Sequence, residues 1–188
     1  MINAMKTHML RLLPVLGATL LAGGSVCQAQ ETKIPKVGDK APLIEGKDQD
    51  GKTWKLADVV GKKIVLLYFY PKDDTPGCTV QACGVRDAWE ELGSEAQLFG
   101  VSIDSVASHE KFIKKYRLPF PLLSDPDKKI VHAYGVWVEK NMYGRKYMGV
   151  ERSTFVLDAE GRIAAVFRKV KPEQHIAIVR EALEKVYS

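Results

Sequence analysis

Cysteine is scarce in this chain: three residues among 188, at positions 27, 78 and 83. That is too few for a scaffold held together by disulfides, so folding must rest on a hydrophobic core. Long apolar runs are also missing. No stretch reaches the roughly 20 uninterrupted apolar residues of a spanning helix, which excludes a polytopic membrane protein. After Glu31 there is no linker, low-complexity tract or internal repeat. The net charge of +5 arises from 28 basic and 23 acidic residues. The two signs are interleaved, so no electrostatic footprint for nucleic acid is present. What is left, 46% apolar and 27% charged with 15 Gly and 9 Pro, is the composition of a soluble globular protein of one domain.

The first residues differ from the rest. Met1 to Gln30 contains Lys6 and Arg11, no acidic residue, and an apolar stretch from Leu12 to Gly24. A positive start, an apolar core of about 7–15 residues and a small-residue exit describe a secretory signal peptide. Cys27-Gln28-Ala29 offers small residues before a cut after Ala29. The expectation is a signal peptide over 1–29 and one domain over 30–188, periplasmic or otherwise exported. Lipoprotein cleavage before Cys27 is the weaker alternative, because Gly24-Ser25-Val26 lacks the apolar residue such a site prefers. An uncleaved amphipathic segment is disfavoured by the Gly and Pro content and the lack of polar periodicity.

Further on, Asp48-Gln49-Asp50-Gly51 reads as a plain turn, since the later ligands of a calcium loop are missing. Lys63 to Tyr70 is almost wholly apolar and predicts a central strand buried on both faces, stopped by Pro71. Ala82, Val85, Trp89 and Leu92 recur at helical spacing up to Gly93. Gln97–Ser102 predicts a second buried strand and Ser105–Tyr116 an amphipathic helix. A short strand at Pro121–Ser124 is followed by a helix from Asp125-Pro126 to about Tyr134. Ser153–Leu157 and Arg162–Arg168 predict a hairpin around Gly161, and Pro172 starts a last helix. Strands alternating with helices and closing in a hairpin and a helix indicate an α/β fold. This order is that of a thioredoxin-like three-layer sandwich with a central mixed sheet.

The segment Tyr70-Pro71-Lys72-Asp73-Asp74-Thr75-Pro76-Gly77-Cys78-Thr79-Val80-Gln81-Ala82-Cys83 carries the chemistry. Thr75 suits a helix N-cap and Pro76 the first helical position. Cys78 therefore falls in the first turn of a helix that starts at the carboxyl end of a buried strand. Unpaired N–H groups and the positive end of the helix dipole converge there and favour a thiolate, which is a nucleophile. Three plainer readings compete. A buried structural thiol fits poorly with a polar, Gly- and Pro-containing loop. A metal pair lacks further ligands near Cys78 and Cys83. A static disulfide needs Cα atoms about 4.4–6.8 Å apart, whereas five residues of helix separate them by about 8–9 Å.

Pro71-x-x-x-Thr75-x-x-Cys78 resembles the peroxiredoxin active-site pattern, and the string on to Cys83 resembles the Q-type branch, the bacterioferritin comigratory proteins. The likeness extends from Gly38 to Val186, through Tyr134-Gly135-Val136, Lys140-x-Met142-Tyr143-Gly144 and Arg152-Ser153-Thr154-Phe155. It implies a thiol peroxidase acting on hydrogen peroxide and organic hydroperoxides, without cofactor or metal, as a monomer or weak dimer. Cys78 would be the peroxidatic cysteine and Cys83 the resolving one, with a thioredoxin-like dithiol reductant as partner. Thr75 would orient the peroxide, Arg152 would sit over the thiolate, and Pro71 would shield the sulfur.

Each role has a plainer counterpart: a helix cap for Thr75, a surface ion pair for Arg152, a strand stop for Pro71, a buried helix thiol for Cys83. His109, His132 and His175, far in sequence from the loop, are expected to be surface or satisfied core histidines. Trp54, Trp89 and Trp137 are expected in the core, and Lys114-Lys115 and Lys128-Lys129 on solvated faces. Two other functions remain open at this point. One is an exported thiol–disulfide oxidoreductase, although no Cys-x-x-Cys is present. The other is a noncatalytic thioredoxin-like chaperone or interaction module.

Overall fold

The strand that organises the molecule is β3 (Ile64–Phe69), all six residues of which are buried. Its alternation assigns two cores. Ile64, Leu66 and Tyr68 face one apolar cluster, and Val65, Leu67 and Phe69 the other. Each such side chain contributes about 1.5–3 kcal/mol on leaving water. The computed structural model describes residues 34–187. The expected leader, with Cys27 and the cut after Ala29, lies outside them.

On one side of β3 lies parallel β4 (Ala96–Ser102), then β5 (Leu122–Ser124), β1 (Glu45–Lys47) and β2 (Thr53–Lys55). On the other side lie antiparallel β8 (Ser153–Leu157) and β9 (Ile163–Arg168). The result is a seven-stranded mixed sheet in the order β2-β1-β5-β4-β3-β8-β9. One face packs α1 (Pro76–Asp87), α2 (Trp89–Glu95), α3 (Val106–Tyr116) and α5 (His175–Tyr187). The opposite face packs α4 (Lys129–Ala133). This is the expected three-layer α/β sandwich. Gly100 in β4 is dictated by packing: a Cβ there would lie 2.5 Å from Leu122 and 2.7 Å from the Tyr68 hydroxyl.

Three expectations change. The helix after Cys78 breaks at Ala88, and its continuation runs past Gly93 to Glu95. The helix after Pro126 begins only at Lys129, because Asp125 spends its carboxylate on the N–H of Val131 at 2.9 Å. A separate ribbon, β6 (Trp137–Met142) with β7 (Arg145–Val150), has no counterpart in the pattern reading. Most of its side chains are half-buried or exposed, so no alternation between core and solvent marks it. No described helix is long and apolar enough to cross a membrane.

Candidate active site

β3 delivers the chain into the loop at Tyr70-Pro71, and α1 starts five residues later at Pro76 with Thr75 at the N-cap. Cys78 is thus the third residue of α1, where its N–H has no acceptor within the helix. The Thr75 hydroxyl does not cap the helix as expected. It donates instead to the Lys72 carbonyl at 3.0 Å, which leaves its oxygen lone pairs free of any helix N–H. Pro71 is half-buried at the strand end. The polarity of the loop suggests an open thiol, yet Cys78 is only 2% exposed.

Sheet register brings in the cation. Phe69 pairs with Ser153, so Arg152, one residue before β8, stands beside the strand end from which the loop departs. Its Nη2 donates to Cys78 Sγ at 3.3 Å, and its Nη1 donates to Gln81 Oε1. The guanidinium is therefore forked between two side chains one turn apart on α1, Cys78 and Gln81, which fixes its plane. Gly77 allows Pro172 to pack closely on the start of α1, since a Cβ there would sit only 3.3 Å from the Pro172 ring. A guanidinium and the unpaired N–H groups of a helix start thus converge on one buried sulfur. Cys83 lies on the same helix, half-buried, and both cysteines are free.

Residues 37–166 match the AhpC/TSA family. The chain is 49% identical to peroxiredoxin Bcp of Bacillus subtilis over 150 residues, covering 79% of this chain and 95% of that one. It is 43% identical to peroxiredoxin Bcp of Escherichia coli over 151 residues, covering 80% and 96%. Among solved structures it superposes on Xanthomonas campestris peroxiredoxin Q with a TM-score of 0.72 at 38% identity, covering 77% and 96%. The chain belongs to the AhpC/TSA family, as a Q-type peroxiredoxin. It is a thiol-dependent peroxidase, taking a peroxide as substrate and a thiol as reductant. The oxidoreductase and chaperone alternatives are not favoured. A further Xanthomonas campestris structure concerns the alkyl peroxide reduction activity of its bacterioferritin comigratory protein.

The structure also brings forward residues that the sequence pattern did not single out. Gln81, which orients Arg152, lies one helical turn after Cys78 and is buried, a spacing that could have flagged it. His109 is not remote from the loop: its Nδ1 lies 2.8 Å from the carboxylate of Asp73. Lys115 is exposed as expected, yet it holds Asp74 of the loop at 2.6 Å. Trp54 is only half-buried and gives its indole N–H to Asp48 at 2.7 Å. Among the described residues no group of three or more His, Cys, Asp or Glu could hold a metal ion.

His175 opens α5 beneath the site, 3.0 Å from the Thr154 hydroxyl through Nε2, with Nδ1 unpartnered. Burial, then the nearby Arg152 charge, push it down to about 3 from its ordinary 6.5. Below 6.5 the unfolded chain takes up a proton that the folded one refuses, so stability falls with pH, by about 1.4 kcal/mol per unit. Urea unfolding of the reduced protein is expected to show this loss between pH 7 and 5, and His175→Gln to remove about 2 kcal/mol of it. Equal pH slopes for both proteins would contradict the assignment.

Proposed function

We propose that Cys78 is the peroxidatic nucleophile and Cys83 the resolving thiol. The Cys78 thiolate attacks one peroxide oxygen; the S–O bond forms, the O–O bond breaks, and the leaving oxygen departs as alkoxide or hydroxide and takes a proton. Arg152 Nη2 lies where charge passes from sulfur to that oxygen. The Thr75 hydroxyl, already donating to Lys72, keeps an oxygen that can accept the peroxide O–H. Pro71 closes the strand side of the sulfur. Cys83 then attacks the Cys78 sulfenic acid, a disulfide forms and water leaves. A thioredoxin-like dithiol reduces the disulfide by exchange. Both cysteines lie on one helix, so the cycle needs no second subunit. That fits a monomer or weak dimer.

The observation that carries this reading is the Arg152–Cys78 contact at the start of α1. Purified protein with dithiothreitol is expected to consume hydrogen peroxide and alkyl hydroperoxides catalytically. Insulin reduction without peroxide consumption would instead favour a thiol–disulfide oxidoreductase, and neither activity a noncatalytic module.

Export is part of the proposal and rests on the charge and apolar run of residues 1–29. Intact mass of protein recovered from a Gram-negative-type host is expected to begin near Gln30. A soluble cytoplasmic product retaining Met1 would overturn it.

A further inference from the structure

A buried polar cluster stands behind the loop that carries Thr75 and Cys78. Asp73 is 7% exposed and takes the Tyr70 hydroxyl on Oδ1 at 2.7 Å. Its Oδ2 takes the Ser108 hydroxyl at 2.7 Å and faces His109 Nδ1 at 2.8 Å. The Asp73 N–H donates to Asp104 Oδ2 at 2.9 Å, and that oxygen also receives the Ser102 hydroxyl at 2.7 Å. The next residue, Asp74, sits at φ 54° and is tied by Lys115 and Tyr116. Tyr70 follows β3, Ser102 ends β4, and Ser108 and His109 belong to α3. The two consecutive carboxylates thus fasten the loop to α3 and to Tyr70 at the end of β3, and the Asp73 N–H adds a tie to Asp104 just past β4.

An unfilled buried carboxylate would be costly, and three side-chain groups fill this one. Burial by itself would raise the Asp73 carboxyl, but the bond and charge of His109, with the Ser108 and Tyr70 bonds, hold it below the ordinary carboxylate range. Among the described residues, no hydrogen bond of the cluster runs to Cys78 or Arg152. Its hydrogen bonds end at Asp74, whereas further along α1 a Cβ at Gly77 would press on Pro172 and one at Gly84 on Ile176.

We propose that Asp73, clamped by His109 and Ser108, is a positioning residue for the peroxide step, holding residues 71–75 against α3 so that Thr75 and Cys78 meet Arg152 in one register. The inference rests on Cys78 being the peroxidatic cysteine. The clamp also persists while α1 opens beyond Cys78, so the site re-forms without a search.

Stopped-flow oxidation of the reduced full-length protein by hydrogen peroxide, beside alkylation of Cys78 by iodoacetamide, tests this. His109→Leu removes the group facing Asp73 and is expected to slow the peroxide step about 10- to 100-fold, the cost of a small misplacement. Alkylation, which needs the thiolate but not the register, should not slow. His109→Asn, which restores a donor near the Nδ1 position, should recover most of the peroxide rate. Ser108→Ala, at a half-buried position, should slow the peroxide step about threefold to tenfold and serves if His109→Leu does not fold. Peroxide rates within about twofold of the parent in Ser108→Ala and in any folded His109→Leu would overturn the inference. So would peroxide and alkylation rates falling together, which marks general loosening. A parent protein inert to peroxide would instead overturn the Cys78 assignment itself.

Discussion

Arg152→Ala is expected to slow the reaction of Cys78 with hydrogen peroxide by about 10²–10³-fold while leaving the fold intact, the cost seen when one preorganised donor to a developing anion is lost. Two unit charges about 4 Å apart interact by roughly 4 kcal/mol at an effective dielectric near 20, an upper figure for a site partly open to water. The contact is 3.3 Å, so the cation acts on both the thiolate and the leaving oxygen. Arg152→Lys should restore little, since one ammonium cannot fork between Sγ and Gln81 as the guanidinium does. Single-turnover kinetics check this, with near-ultraviolet circular dichroism as the control for folding. Unchanged peroxide kinetics in Arg152→Ala would remove Arg152 from the mechanism.

Cys83→Ser is expected to consume one equivalent of peroxide and then stall, with Cys78 passing from sulfenic to sulfinic acid unless an external thiol intervenes. The reason is geometric. With α1 intact from Pro76 to Asp87 the two cysteines cannot bond, so the helix must unwind after Cys78 is oxidised. Unwinding separates Gly77 from Pro172 and Gly84 from Ile176, which pack α1 against α5 and the turn before it. Amide exchange across residues 77–83 should therefore be faster in the oxidised than in the reduced protein, with β3 and β4 unchanged. Equal exchange in both states would contradict the unwinding step. So would full turnover of Cys83→Ser with a reductant that acts only on disulfides.

Much of this architecture is legible before any coordinates. The apolar run at Ile64–Phe69, the Thr75-Pro76 start signal and the Gly161 hairpin each follow from local rules, and each element stands where those rules put it. The break at Ala88 was hidden because Trp89 and Leu92 continue the helical spacing and stay in the same apolar cluster. The β6–β7 ribbon was hidden because neither of its faces is dry. The site divides in the same way. Cys78 can be placed from its position at a helix start, but Arg152 reaches it only through the β3–β8 register, a long-range pairing that no window of sequence displays. The Asp73–His109 contact spans 36 positions and joins two segments that look like ordinary solvated loop and helix. Local patterns announce elements; they do not announce which buried polar groups will meet.

The central claim is that Cys78 and Cys83 form a redox pair across one helix. Its most direct test is peptide mapping by mass spectrometry of the reduced protein before and after one equivalent of hydrogen peroxide. The account predicts free thiols before, and afterwards a Cys78–Cys83 disulfide within one chain, two hydrogens lighter and reversed by a dithiol. A product in which Cys78 is oxidised while Cys83 remains a free thiol, or in which Cys78 is untouched, would contradict it.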